Sequence, residues 1–318
     1  MVTVTAEWAP VKHFVRGRPV LQGSAEEIRN QFNGLMTLLV VSRAPTDSKV
    51  LTVDMTIEGV NCRVYSPISQ KESRPVGVYT HGGGFICGDL DSEDTHCRSI
   101  SHAVNCIIIS VDYRLGPEHT LPIMLQDTLA VYQWNASQLN GDQDAFFSIG
   151  ESAGGGLALA VANHYAQQPN RKKYIKGVVA LVPLTLHRDN IPAKFRKDYR
   201  SYVENATDVP FIDGSSLKTF YEAVDTDPND ARIFTALSPH HHNFPPTNIC
   251  TCEADPLRDD GSVMEKVLRK AGVPTKLTTY PNLPHYFWIF LDLQATATFV
   301  SDVIDGGNGL VDFQIQQH

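Results

Sequence analysis

The 318-residue chain has no apolar run approaching the ~18 residues that would mark a membrane-crossing helix. Met1 to Val20 show neither an apolar stretch nor a small-residue cleavage pattern, so no secretory leader is expected and a cytoplasmic location is. Basic residues are outnumbered, 27 Lys and Arg against 35 Asp and Glu, and none of them form a block. Nucleic acid is therefore not an expected partner. The formal net charge of -8 favours solubility without choosing a substrate. The six cysteines (Cys62, Cys87, Cys97, Cys106, Cys250, Cys252) lack the spacing of a disulfide scaffold or a zinc site. In a reducing compartment they read as free thiols. Without a leader, the sequons at Asn135 and Asn205 read as chance matches. Repeats and low-complexity tracts are missing as well. With 42% hydrophobic and 19% charged residues, the chain can bury one large core, or a core with a small appended subdomain.

Patterning divides the chain. Residues 1–45 are helix-like in patches. Ser24-Ala-Glu-Glu can cap a helix carrying Ile28, Phe32, Leu35, Leu38 and Leu39 at helical spacing. This segment is expected to form an N-terminal helical cap. Val50 to Ile57 and Val60 to Tyr65 alternate apolar and polar around Glu58-Gly59, the signature of an antiparallel hairpin. From Val76 onward the apolar runs become short and continuous: Val76–Thr80, Cys106–Val111, Phe146–Ile149, Val178–Val182, Ile249–Cys252 and Lys276–Tyr280. Helical stretches lie between them, such as the one carrying Met124, Leu125, Thr128, Leu129 and Tyr132. This alternation predicts an α/β fold, a mostly parallel sheet with helices on both faces, over residues 46–305. Residues 187–225, rich in charge and aromatics, break the alternation and are expected to form a cap insertion. Residues 306–318 read as a weakly ordered tail.

Gly150-Glu151-Ser152-Ala153-Gly154 is a G-x-S-x-G motif between an apolar run and a helical stretch. A serine there sits in a strand-to-helix turn so tight that side chains two residues away on either side would collide, which accounts for both glycines. The helix start also favours developing negative charge. His81-Gly82-Gly83-Gly84 follows another strand. Consecutive glycines leave N–H groups unobstructed and suit an oxyanion hole, with the Ala153 N–H as a further donor. His81 reads as an anchor for that loop rather than as a base. A serine nucleophile needs a base, and the base needs an orienting carboxylate. In chain order Ser, Asp or Glu, His, the residues that follow strands are Asp255 and His285. Glu253 is a rival but sits closer to its strand. Asp259 and Asp260 read as the N-terminal cap of a helix over Val263 to Lys270. His240-His241-His242, flanked by prolines, reads as an exposed loop without metal.

Together these motifs resemble the hormone-sensitive-lipase-like branch of the α/β hydrolases, over roughly Val50 to Leu291. The matching stretches are His81-Gly-Gly-Gly-Phe85, Ser110-Val-Asp-Tyr-Arg-Leu-Gly-Pro-Glu-His119, Gly150-Glu-Ser-Ala-Gly-Gly155, Asp255-Pro-Leu-Arg-Asp-Asp260 and Leu283-Pro-His285. The resemblance implies an α/β-hydrolase fold with a helical cap, and an oxyanion hole formed by Gly83, Gly84 and Ala153. It implies a structural role for the stretch from Asp112, with Asp112 and Arg114 as buried partners. Three positions depart from the family pattern: Glu151, where Asp or Thr is commoner, Tyr286, where Gly is usual, and Gly116. Gly116 replaces the usual Ala, a change read as without consequence. Phe85, Glu151 and Tyr286 are the residues expected to meet substrate.

The implied activity is that of a carboxylesterase on short, largely apolar acyl groups, through an acyl-enzyme and without metal or organic cofactor. A fungal subset of the family, similar to versiconal hemiacetal acetate esterases, removes acetate from polyketide intermediates, so a secondary-metabolite ester is among the implied substrates. The expected partner is a small-molecule ester. Oligomeric state stays open, a homodimer included. Two alternatives remain: a lactonase, thioesterase or other acyl-transfer or elimination enzyme on the same residues, and a non-catalytic small-molecule binding protein. The presence of His285 speaks against the second.

Overall fold

The apolar runs become adjacent strands. The computed structural model describes Trp8, Val11 and residues 19–42, 48–69, 73–134, 136–168, 170 and 174–315. Asn135, most of residues 1–18 and the last three residues of the expected tail lie outside the described residues.

The strands are β1 (Val50–Ile57), β2 (Val60–Pro67), β3 (Arg74–Thr80), β4 (Ile107–Val111), β5 (Gly141–Glu151), β6 (Ile175–Leu181), β7 (Thr247–Ala254) and β8 (Thr275–Pro284). They form one sheet in the order β1-β2-β4-β3-β5-β6-β7-β8. The β1–β2 hairpin pairs antiparallel, and β2 joins β4 antiparallel. All later pairs are parallel. Every residue of β3 and β4 is buried, as parallel strands covered on both faces require. At the sheet edge, β1 alternates and exposes Leu51 and Val53.

Eight helices complete the described fold: α1 (Ala25–Ser42), α2 (Asp94–Val104), α3 (Leu121–Val131), α4 (Ala153–Ala166), α5 (Ser201–Glu204), α6 (Gly214–Ala223), α7 (Arg258–Lys270) and α8 (Gln294–Ile315). At the start of α1 the Glu27 N–H donates to Ser24 Oγ at 3.3 Å, and the Ser24 N–H donates to Glu27 Oε2 at 2.8 Å. This is a reciprocal cap, as the sequence predicts. Ile28, Phe32 and Leu39 are buried, but Leu38 faces solvent and Met36 takes its place in the packing. A helix turns 100° per residue, and Met36 lies one turn from Phe32.

Several expectations need correction. Residues 306–315 continue α8 instead of forming a tail, and Gly306 O accepts from Asn248 Nδ2 at 3.2 Å. Arg114 does not pair with Asp112: its guanidinium reaches Asp127 on α3 at 2.6 Å. Gly116 is not neutral, since a Cβ there would come within 2.5 Å of Val224 Cγ1. Asp259 and Asp260 lie inside the first turn of α7 and hold other segments. Asp259 accepts from the N–H groups of Arg200 and Ser201, and Asp260 from those of Thr185 and Leu186 and from Tyr199 OH. The histidine run forms a short helical turn in which only His242 is exposed, and His241 Nε2 bonds Thr235 O at 2.8 Å.

The insertion after β6 and the chain ahead of α1 meet. Val20 bridges Phe211, and the Leu21 N–H donates to Phe211 O at 2.8 Å. Ser216 Oγ donates to Leu21 O at 2.5 Å, and Gln22 Nε2 to Asp213 at 2.9 Å. Segments some 190 residues apart thereby form one cover over the carboxyl ends of the parallel strands, where open α/β sheets place their sites.

Candidate active site

The sharpest bend follows β5. Ser152 has φ 53° and ψ −119°, a strained conformation for a residue with a side chain. The bend is held by backbone bonds: the Ser152 N–H donates to Leu181 O at 2.8 Å, and the Gly156 N–H donates to Ser152 O at 3.0 Å. Thr80 Oγ1 donates to Gly154 O at 2.7 Å. A Cβ at Gly154 would overlap the carbonyls of Thr80 and His81, and one at Gly150 would overlap Gly154 O. The glycines are thus required by close approach, as the motif predicts.

Register brings the other strand ends alongside. Thr80 pairs Gly150 and Glu151 pairs Leu181, while Ala254 pairs Pro284 across β7 and β8. Asp255 and His285 each stand one residue beyond a strand. His285 Nε2 lies 3.0 Å from Ser152 Oγ, and its Nδ1 lies 2.7 Å from Asp255 Oδ2. All three side chains are buried. The second oxygen of Asp255 accepts from the Leu257 N–H at 2.8 Å, which leaves the first aimed at the imidazole. Glu253 is engaged elsewhere, accepting from the Asn282 N–H at 2.8 Å. A buried carboxylate behind a buried imidazole favours the Nδ1–H tautomer, so Nε2 can take the serine proton.

The glycine loop lies beside the serine. Gly83 and Gly84 have φ 113° and 60° and, with Ser152 and His285, line a narrow cavity of about 20 Å³. Among the described residues, the N–H groups of Gly83, Gly84 and Ala153 have no internal acceptor. His81 anchors the loop from behind. It is buried, its ring stacks on Tyr113 with centroids 4.2 Å apart, and its Nδ1 lies 2.7 Å from Gly82 O. Burial pushes its pKa down to about 4, so it stays neutral.

Walls and roof of the cavity are apolar: Leu21, Phe32 and Leu35 from the N-terminal side, Phe211, Ile212 and Phe220 from the insertion, and Tyr286 from the turn after the base. Of the three residues expected to meet substrate, Tyr286 lines this space. Phe85 is buried, its carbonyl accepting from the Gly116 N–H at 2.9 Å, and is not part of the lining. Glu151 is also buried and outside it; the Trp288 indole N–H donates to its Oε2 at 3.1 Å. Desolvation first, and then the nearby Glu93, push the Glu151 carboxyl well above the usual carboxylate range.

Three further residues hold the site without having stood out in the sequence. Asn205, read there only as half of a chance sequon, is buried and donates to both Glu253 O and Asp255 O at 3.1 Å. It clips the insertion to the loop that carries Asp255. Arg29 on α1 reaches Ile86 O at 2.8 Å and Gly116 O at 2.6 Å, tying the cover to the back of the glycine loop. Glu93 accepts from Tyr286 OH. No periodicity or motif marks these three, because each bonds a backbone or side chain remote in sequence.

Residues 77–289 match the family described as the α/β hydrolase fold. The chain belongs to that family. This is the affiliation that the motifs of the hormone-sensitive-lipase-like branch led us to expect. A versiconal hemiacetal acetate esterase of Dothistroma septosporum is 42% identical over 294 residues, 91% of this chain and 90% of that protein. Among solved structures, vibralactone cyclase superposes with a TM-score of 0.87 at 27% identity, covering 97% of this chain and 95% of its own. An esterase of the hyperthermophilic archaeon Pyrobaculum calidifontis superposes with a TM-score of 0.82 at 25% identity, covering 97% and 99%. No helix among the described residues is long and apolar enough to cross a membrane.

Proposed function

We propose that this hydrolase cleaves carboxylic esters of small, largely apolar acyl groups, with Ser152 as nucleophile, His285 as base and Asp255 as its orienting acid. The observation that carries this reading is the line Asp255–His285–Ser152, with steps of 2.7 and 3.0 Å, ending at the apolar cavity. His285 takes the Ser152 proton as Oγ attacks the ester carbonyl. Gly83, Gly84 and Ala153 offer N–H groups to the oxyanion, each worth roughly 3 to 4 kcal/mol in the transition state. The alkoxide leaves with the proton held by His285. Water then attacks the acyl-enzyme through the same groups, releasing the acid and restoring Ser152.

Small acyl groups are favoured because free space beside Ser152 amounts to about 20 Å³, roughly one water's worth before the cover moves. The relative named for an acetate ester makes an acetylated secondary metabolite a natural first substrate to assay. The six cysteines are buried and form no disulfide with one another, which fits a reducing, cytoplasmic setting. A second reading is ring closure, with a hydroxyl of the same substrate replacing water at the acyl-enzyme. The likeness to vibralactone cyclase favours it.

The test is labelling by an alkyl phosphonate together with turnover of p-nitrophenyl acetate, in wild type and Ser152→Ala. Labelling and turnover that both vanish in the variant support the proposal; a wild type inert to both reagents refutes it. Turnover in ¹⁸O-water of an ester whose acyl group carries its own hydroxyl separates the two readings: hydrolysis places the label in the released acid, and ring closure gives an unlabelled lactone.

A further inference from the structure

Beneath the nucleophile lies a buried polar cluster that acyl transfer does not use. Glu151, at the end of β5, is fully buried, and its carboxyl faces Glu93 and Tyr79. Its Oε2 accepts from the Trp288 indole, while its Oε1 has no hydrogen-bond partner among the described residues. Glu93, also buried and immediately ahead of α2, accepts from Tyr286 OH. Other titratable groups around the two carboxyls are Tyr79 on β3, His96 and Cys97 on α2, Tyr113 beyond β4, and the His285–Tyr286 turn. Burial pushes Tyr79, Cys97 and Tyr113 well above their usual ranges and His96 down to about 4, so all four are neutral near pH 7. Among the described residues no Lys or Arg forms an ion pair with Glu93 or Glu151.

Two facing carboxyls buried without a cation cannot both ionise. We propose that Glu151 keeps its proton beside Glu93 and that the two carboxyls act as a positioning pair for the whole site. Each contact of the pair ends on a working part. Glu151 precedes Ser152 in the chain. Its Oε1 lies beneath Gly82 of the glycine loop, where an added Cβ would stand 3.2 Å away. Through Tyr286 and Trp288 the pair holds the turn that follows His285. Tyr286, its hydroxyl tethered to Glu93, keeps its ring in the cavity wall. A cavity of about 50 Å³, lined by Glu93, His96 and Trp288 among others, is large enough for water and gives the pair a path for proton exchange. Loss of the Glu151 proton at alkaline pH places a bare carboxylate against Glu93 in an apolar site. The carboxyls then separate, and the base turn and the Tyr286 wall move with them.

The inference rests on the ester-hydrolase reading for its assay. Its test is kcat and KM for p-nitrophenyl acetate from pH 6 to 10, in wild type, Glu151→Ala, Glu151→Gln and Glu93→Gln, with melting temperatures over the same range. Glu151→Ala is expected to lower kcat by about 10- to 100-fold, the scale of a misplaced catalytic group. Glu151→Gln, which keeps the shape of the neutral acid, recovers most of that loss. An alkaline fall in kcat and melting temperature is expected in wild type and in neither glutamine variant. A Glu151→Gln variant no more active than Glu151→Ala overturns the proposal, because the charge itself would then be needed. Equal alkaline falls in wild type and the glutamine variants overturn it as well. Should Glu151→Ala fail to fold, the comparison of wild type with the two glutamine variants decides by itself. A wild type inert to ester and phosphonate alike defeats the functional reading, while the melting-temperature slopes still judge the pair.

Discussion

The floor of the site and its cover are built by different means. The floor comprises the carboxyl ends of β3, β5, β7 and β8, held by ladder hydrogen bonds in register and by glycines at points of backbone overlap. The cover comprises α1, the chain ahead of it and the insertion after β6, joined largely by side-chain bonds that bridge some 190 residues of sequence. Displacement in the floor misplaces reacting atoms. Displacement in the cover alters what fits above them. Chemistry and substrate choice can therefore vary separately, and single substitutions should fall into two groups.

Ser152→Ala and His285→Ala test the floor most severely. Each should lower kcat/KM for p-nitrophenyl acetate by at least ~10³-fold with an unchanged melting temperature, as expected when one member of a cooperating set is removed. Near-wild-type activity of His285→Ala would mean that the floor uses another base. Gly84→Ala strikes the boundary between floor and cover. The new Cβ would lie 2.5 Å from the Phe220 ring at a positive φ, so kcat should drop by about 10²-fold, readable in the same assay. A loss confined to KM would place Gly84 with the cover instead.

At the cavity wall, Tyr286→Ala should change kinetics less than it changes preference. Acetate turnover should fall by under ~10-fold, while the ratio of butyrate to acetate turnover rises by roughly 10-fold, the worth of one or two methylenes in an apolar pocket. An unchanged ratio would remove Tyr286 from the specificity wall. Asn205→Ala, which unclips the insertion from the acid loop, should destabilise by about 1–3 kcal/mol in chemical denaturation, the cost of unsatisfied buried carbonyls.

A pH-dependent effect concerns Asp260, which anchors the insertion and whose pKa burial pushes up to about 7. The folded protein then binds this proton more tightly than the unfolded chain does. Asp260 therefore contributes most below pH 4, and its contribution is lost as pH rises toward 7. Melting temperatures from pH 4 to 8 should fall for wild type relative to Asp260→Asn. Parallel curves would show that the insertion does not feel this carboxyl.

Sequence reading reached the floor and missed much of the cover for one physical reason. In β3 and β4 every residue is buried, so continuous apolar runs marked the strands, and close backbone approach forced glycines at 150 and 154. These constraints are local and leave a pattern. Asn205, Arg29 and Glu93 act through bonds to residues at least 48 positions away, and nothing in their neighbourhoods records the partner. The misassigned Arg114 and Asp260 failed likewise: their charge was legible, but their partners were chosen by packing. Helix α8 was missed at its end because two glycines with low helical propensity are held by tertiary contacts with Asn248 and Val104.

Sequence alone thus determined the parallel α/β sheet, the tight bend at Ser152 and the glycine loop, since each follows from backbone sterics or burial along a short stretch. Only the tertiary structure decided which side chains enter the cavity. It put Tyr286 in and kept Phe85 and Glu151 out, because orientation at a strand end depends on the neighbours that pack against it. The same packing turned Glu151 from an expected substrate contact into half of a buried carboxyl pair, whose partner Glu93 lies 58 positions earlier on another element.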